Sequence, residues 1–123
     1  MFITVEGIHY NANKIISIDT KDNYMHINLY GVARKVTIKS TEKDMNDIIG
    51  SWRAALSSSV LTIHDEILKQ NYYINTDYVV KANEAKDKNG VNRFYILTSD
   101  SENTGYAVSE SEAKRIHYDL ERS

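Results

Sequence analysis

The sequence predicts an α+β fold: two related units of antiparallel β-strands, each followed by one α-helix, in a single compact domain. The chain has 123 residues, 41% of them hydrophobic and 10% aromatic, which suits one folded domain. Short β-branched and aromatic runs are bounded by Asn, Asp and Gly, as strands usually are. Each half ends in a stretch with apolar residues at helical spacing. Proline is absent and only five glycines occur, so no flexible linker is expected.

The first half is predicted to contain four strands and then a helix. The strands are Phe2–Val5, Ile15–Ile18, Met25–Leu29 and Lys35–Lys39. Ser40 or Thr41 is expected to cap the helix, because a side-chain oxygen there accepts from a free backbone N–H. The apolar helix positions follow the spacing of a buried stripe and are Met45, Ile48, Ile49, Trp52 and Leu56. We therefore expect Trp52 to lie in the core.

The second half is predicted to repeat this plan with five strands and a helix. The strands are Val60–Ile63, Tyr72–Ile74, Tyr78–Ala82, Phe94–Leu97 and Tyr106–Val108. Ser109 and Glu112 have the spacing of a capping box, which opens a helix. The buried stripe of that helix is expected to be Ala113, Ile116 and Leu120.

The two halves, residues 1–58 and 59–123, resemble each other in the order of their local patterns. An Asn-x-Asn/Asp motif begins at Asn11 in one half and at Asn75 in the other, and each motif precedes a β-branched pair. An Asp-containing turn and an alternating strand follow in both. We interpret this as one supersecondary unit used twice.

Composition excludes several classes of protein. The net charge is −2 and the pI is about 6.1, which argues against a polycation that coats nucleic acid or membranes by charge alone. Cysteine is absent, which excludes disulfides, thiol nucleophiles and cysteine-ligated metals. No apolar run approaches the roughly 20 residues that span a bilayer, and no secretion signal is visible. We expect a soluble cytoplasmic protein.

No residue pattern indicates catalysis, a cofactor or a metal site. The densest cluster of metal-ligating residue types is His64-Asp65-Glu66, which we interpret as a polar strand end. The segment from Asp100 to Gly105 begins like a calcium loop, but its twelfth position is Ser111 instead of Glu. We expect a turn there, with Gly105 at positive φ. The chain is therefore predicted to be a binding module and not an enzyme.

A nucleic-acid surface is our first hypothesis for the function. Arg34, Lys35 and Lys39 are predicted to lie on one strand and, with Lys69, to contact phosphates. Asn71 follows in a polar loop and is expected near base edges. Tyr24 or Tyr72 would stack on bases, whether the partner is DNA or RNA.

A protein-interaction or inhibitor module, of bacterial or mobile-element origin, is the alternative. Residues 61–123 contain eight basic and eleven acidic residues. These acidic residues, with the nine tyrosines, would bind a basic protein surface; the ones we single out are Asp100, Glu102, Glu110 and Glu112. Unpaired edge strands also make a homodimer across a two-fold axis an expectation.

The pattern resembles a LytTR-type DNA-binding domain over most of the chain. Lys14–Asp19, Asp22–Ile27 and Arg34–Ser40 are similar to the strands and the Asn-Tyr turn of that family's first part. Asn71–Val80 is similar to its Ser-Tyr-x-Val-Asn segment. This resemblance implies a strand-rich fold and DNA as the partner. Whirly-type single-strand binders are similar in outline only.

Overall fold

The computed structural model describes residues 1–100 and 102–122, which form ten strands, two α-helices and two 3₁₀ turns. The first half contains β1 (Phe2–Val5), β2 (Ile8–Asn11), a 3₁₀ turn (Ala12–Lys14), β3 (Ile15–Lys21), β4 (Tyr24–Leu29), β5 (Val36–Lys39) and α1 (Glu42–Ala55). The second half contains β6 (Val60–Asp65), β7 (Gln70–Asn75), a 3₁₀ turn (Thr76–Tyr78), β8 (Val79–Lys86), β9 (Asn92–Thr98), β10 (Asn103–Ala107) and α2 (Glu110–Arg122). The predicted α+β class is confirmed.

The strands form three antiparallel sheets. The hairpin β1–β2 stands alone, and β8, β9 and β10 form a sheet in the order β10-β9-β8. The remaining strands make the central sheet, in the order β5-β4-β3-β7-β6. Because β3 pairs with β7, this sheet joins the two halves of the chain.

Both helices begin where the sequence predicts. The Thr41 Oγ1 atom accepts from the Asp44 N–H at 3.2 Å, and the Ser109 Oγ atom accepts from the Glu112 N–H at 3.1 Å. Each cap therefore satisfies one backbone donor of a first helical turn. Trp52 is fully buried, as predicted, and its indole Nε1–H donates to the Ala12 carbonyl at 3.0 Å.

Two apolar clusters lie on opposite faces of the central sheet. One contains residues of the β1–β2 hairpin and α1, with Ile18 and Ile27 from the central sheet. The other contains residues of β8–β10 and α2, with Ile63 and Ile74 from the central sheet. Both faces of the central sheet therefore take part in the core, the second face through β6 and β7.

The prediction of two related units is not confirmed, although both halves have the same order of elements. Each half runs through a hairpin, a 3₁₀ turn, three strands and a helix. The Asn11 and Asn75 side chains each accept from the backbone N–H two residues later, at 3.1 and 3.0 Å. However, the β3–β7 pairing crosses the boundary at residue 58, so the halves share one sheet.

Some predicted strand boundaries are wrong. The hairpin partner β2 was not predicted, although the residues before it, Glu6 and Gly7, form a two-residue turn with φ of 52° and 78°. The strand predicted over Lys35–Lys39 begins at Val36, and Asn71 lies inside β7, not in a loop. No helix among the described residues is long and apolar enough to cross a membrane.

Candidate nucleic-acid interface

Two lysines and a tyrosine form a row across three strands of the central sheet. Tyr24 of β4 lies directly opposite Lys21 of β3 on one side and opposite Lys39 of β5 on the other. Residues opposed in this way point to the same face, with Cβ atoms about 5 Å apart. Both lysines are exposed and the tyrosine is 46% exposed. The row presents two cations beside an exposed ring.

Lys69 belongs to the same end of the sheet. β3 and β7 are antiparallel and pair Thr20 with Asn71, so the turn after β3 lies beside the turn before β7. Lys69 ends that second turn at φ 54° and is exposed. We call the surface formed by Lys21, Tyr24, Lys39 and Lys69 the turn end. Two acidic residues, Asp22 and Glu66, occupy the same two turns, so its local excess of positive charge is small.

Asn71 lies close to the turn end but is bound within the sheet. It pairs with Thr20 on β3 and with His64 on β6. Its Oδ1 atom is 2.7 Å from the His64 Nδ1 atom, so the carbonyl group is already engaged. The predicted contact with a base edge would therefore involve the amide NH₂ group of Asn71.

Tyr72 is part of the packing between sheets, which does not favour its predicted stacking on bases. Its ring centroid lies 4.5 Å from that of Tyr106. Burial, with the nearby Asp19 and Asp65 carboxylates, raises the pKa of Tyr72 to about 12. Of the two tyrosines predicted to stack, Tyr24 is the exposed one.

Arg34 and Lys35 lie at the opposite end of the sheet from Lys39. They precede β5, in the connection that follows β4, and are not on the strand as predicted. Lys35 lines a cavity of about 330 Å³ together with Asn28, Asp100 and Glu102. The predicted set of three cations on one strand is therefore split between two ends of the sheet.

Asp19 is a buried carboxylate between the two ends. It is 4% exposed and accepts a hydrogen bond from the Gln70 side chain. Burial raises its pKa above the ordinary value, while the positive charges of Lys35 and His26 act in the opposite direction. This group is held by internal contacts and faces no free surface.

The four acidic residues of the alternative hypothesis form two separate pairs. Asp100 accepts from the Asn28 amide at 3.3 Å, near the cavity that Glu102 also lines. The other two lie at the start of α2, beyond the five residues of β10, which span about 15 Å. There Glu110 pairs with Lys114 at 3.6 Å and Glu112 pairs with Arg115 at 2.5 Å.

Asp65, the buried residue of the His64-Asp65-Glu66 cluster, has a structural role. Asp65 is buried and accepts hydrogen bonds from the backbone N–H groups of Ile67, Leu68 and Ala107. The expectation of positive φ at Gly105 is wrong, because this residue lies within β10. Ser101 of the calcium-like segment lies outside the described residues. Among the residues that are described, no group of three or more His, Asp or Glu side chains is placed to hold a metal ion.

Lys21 is the candidate residue that sequence reasoning missed. The predicted strand ended at Ile18, whereas β3 continues to Lys21. Its position next to Asp22-Asn23 and Tyr24 indicates a hairpin, and this signal is present in the sequence. Its position in a row with Lys39 depends on the pairing of β4 with β5, which the sequence does not show.

The fold matches that of a DNA-binding domain. A solved structure, the LytTr DNA-binding domain of a protein described as a methyl-accepting/DNA response regulator from Bacillus cereus, matches with a TM-score of 0.56. The match covers 95% of this chain and 91% of that one, at 15% identity. No family model and no curated protein matches the sequence. The predicted resemblance to a LytTR-type domain is thus confirmed for the fold.

Proposed function

We propose that this chain is a non-catalytic DNA-binding domain whose turn end contacts the phosphate backbone. The row of Lys21, Tyr24 and Lys39 across three adjacent strands is the observation that carries the proposal. Lysines bind phosphates as point charges, and an exposed tyrosine beside them adds a hydrogen-bond donor or a stacking surface. The likeness of the fold to a LytTr DNA-binding domain supports it.

The small local charge excess predicts weak binding with a modest salt dependence. Each neutralised phosphate contributes a slope of about −0.9 to the plot of log K against log salt. Three lysines, Lys21, Lys39 and Lys69, would give a slope of about −2 to −3. A sequence-specific site would add base contacts, for which Asn71 is the candidate in this region.

A pair of matched charge reversals tests where the interface lies. Fluorescence anisotropy would measure binding to duplex DNA, single-stranded DNA and RNA at about 50 mM and 200 mM salt. We expect the double variant Lys21→Glu/Lys39→Glu to weaken binding to duplex DNA and to reduce the slope by about two. The control, Arg34→Glu/Lys35→Glu, changes the net charge equally at the other end of the sheet. We expect its slope to stay near that of the unaltered chain.

Two results would count against the proposal. A larger loss in the Arg34→Glu/Lys35→Glu variant would place the interface at the opposite end. No binding of the unaltered chain to any oligonucleotide at the lower salt would show that the chain has no general affinity for phosphates. All four substituted side chains are exposed, so circular dichroism is expected to show unchanged folds.

A further inference from the structure

The pairing pattern of the first half recurs in the second half, including its irregularity. The β3–β4 pair shifts register between Ile15 and Ser17, and the β8–β9 pair shifts between Val79 and Lys81. These positions are 64 residues apart, as are Asn11 and Asn75 at the ends of β2 and β7. β8 is therefore the counterpart of β3, and β2 is the counterpart of β7.

One pairing of the first pattern, that of β3 with β7, has no counterpart within residues 1–100 and 102–122. β3 pairs with β4 and also with β7. Among the described residues, β8 pairs with β9 alone and β2 pairs with β1 alone. The edge of β8 that corresponds to the β7-facing edge of β3 is therefore unpaired. The edge of β2 that corresponds to the β3-facing edge of β7 is unpaired as well.

Apolar side chains at these two edges are exposed where their counterparts are covered. Ile16 follows Ile15 at the register shift, is 1% exposed and lines a small cavity with Ile74 and Ile96 of the second half. Its counterpart Val80 is 64% exposed. On the other edge, Ile8 is 55% exposed, whereas its counterpart Tyr72 packs on Tyr106.

We propose that two copies of this chain associate head to tail, with β2 of one copy adding to the β8 edge of the next. The internal β3–β7 pairing, which joins Ile18 to Tyr73, is the template for the register. The residue 64 positions after Ile18 is Ala82, and the residue 64 positions before Tyr73 is His9. The same register therefore places His9 of one copy opposite Ala82 of the next. Ile8 then lies opposite Asn83. Each copy has one β2 edge and one β8 edge. A pair of copies therefore leaves one edge of each kind unpaired and does not close into a two-fold dimer.

The backbone donors at both edges point in the required direction. Val5 and Ile8 flank the two-residue turn and pair with each other, so the next residue, His9, directs its N–H away from β1. The Asp87 N–H donates to the Val91 carbonyl at the turn after β8. Along an antiparallel strand, every second residue is hydrogen-bonded to the partner strand. With Asp87 as one of the bonded residues, Ala82 is one of the intervening residues, so its N–H points away from β9.

Two proline variants, each blocking one edge, test this arrangement. Sedimentation velocity of the unaltered chain over a range of concentrations is expected to show dimers and larger species. We expect His9→Pro and Ala82→Pro each to be monomeric, because proline removes the outward N–H and raises the dissociation constant at least about tenfold. Their equimolar mixture is expected to form a one-to-one dimer, since each supplies the edge that the other lacks. His9→Val and Ala82→Val keep the N–H and are expected to associate normally.

Three results would overturn the proposal. The first is an unaltered chain that stays monomeric at every concentration. The second is a single proline variant that still associates alone, and the third is a mixture of the two variants that stays monomeric. Association of His9→Pro alone would indicate a two-fold contact between β8 edges.

A second pair of variants applies if a proline variant loses its native circular dichroism spectrum. Ile8→Lys/Asn83→Lys places like charges opposite each other in the proposed register and is expected to weaken association. Ile8→Glu/Asn83→Lys places opposite charges there and is expected to retain it. Equal association of both double variants would contradict the register.

Discussion

Gly105 of β10 lies directly opposite Tyr95 of β9, and the tyrosine ring crosses the position of the missing side chain. A Cβ atom built on Gly105 would be 2.6 Å from the Tyr95 Cε1 atom, closer than real Cβ contacts. We expect Gly105→Ala to lower the free energy of unfolding by about 1–2 kcal/mol, because the ring must move. Urea unfolding would measure this change.

Gly50 provides the control for that substitution. It lies within α1, and a Cβ atom built there meets nothing within 4 Å. Gly50→Ala is expected to raise the free energy of unfolding by about 0.5–1 kcal/mol, because alanine loses less backbone entropy in a helix. If Gly105→Ala were as stable as the unaltered chain, the contact with Tyr95 would not explain the glycine.

Asp19 makes the stability of the protein depend on pH. Because burial raises its pKa above 3.8 in the folded state, the folded protein binds more protons than the unfolded chain just above that pH. The contribution of Asp19 to stability is therefore present below pH 3.8 and is lost as the pH rises through the folded-state pKa. We expect Asp19→Asn to remove this loss.

Urea unfolding of Asp19→Asn and the unaltered chain at several pH values would test the sign. The stability of the variant relative to the unaltered chain is expected to be greatest at neutral pH and to fall toward pH 3.8. A relative stability that rose toward acid pH would show that the pKa of Asp19 is lowered on folding.

At the scale of the elements, the two helix caps are the contacts most directly readable from the sequence. Thr41 and Ser109 each accept from a backbone N–H of the first helical turn. Thr41→Ala and Ser109→Ala are each expected to lower the free energy of unfolding by about 1 kcal/mol. Thermal or urea unfolding would measure both.

Thr41→Ser is the matched control for the first cap. It retains the Oγ acceptor and is expected to stay within about 0.5 kcal/mol of the unaltered chain. If the serine variant lost as much stability as the alanine variant, the methyl group of Thr41 and not its hydroxyl would be important.

Periodicity predicted both helices well because each buries one apolar stripe. The α1 stripe includes Met45, Ile49 and Trp52, and all three are buried. Strands were harder to delimit, since polar residues at strand ends resemble those in turns. Gln70 and Asn71 look like a loop in the sequence, but pairing with β6 and β3 places Asn71 within a strand.

At the scale of the whole molecule, the central sheet makes the two halves depend on each other. Residues 1–58 contribute β3, β4 and β5, and residues 59–123 contribute β6 and β7. We expect each half, produced alone, to be largely unfolded, because it loses its partner in the central sheet and a chain of about 60 residues is only marginally stable. Circular dichroism and NMR spectra of the separate halves would test this.

Mixing the two halves provides the second part of that test. If the β3–β7 pairing holds the halves together, the mixture is expected to recover the spectrum of the intact chain. A half with a native spectrum on its own would show instead that the two units fold independently.

The candidate residues of the turn end were only partly predictable from the sequence. Lys39, Lys69 and Tyr24 were predicted as candidates because of their residue types, and the fold brings them to one end of the central sheet. Arg34 was grouped with Lys39 because residues 34–39 were predicted to lie on one strand. The strand begins at Val36, so the two cations lie at different ends.

The sequence by itself determined the α+β class, the helices with their caps and the likeness to a LytTR-type domain. These properties depend on residues close together in the chain, whose hydrogen bonds and apolar spacing are local. Only the tertiary structure decided that β3 pairs with β7 and that Lys21 lies in a row with Tyr24 and Lys39. It also decided that, among the residues that the structure describes, one edge of β2 and one edge of β8 are unpaired. Those features depend on sheet register, which is set by contacts between distant residues.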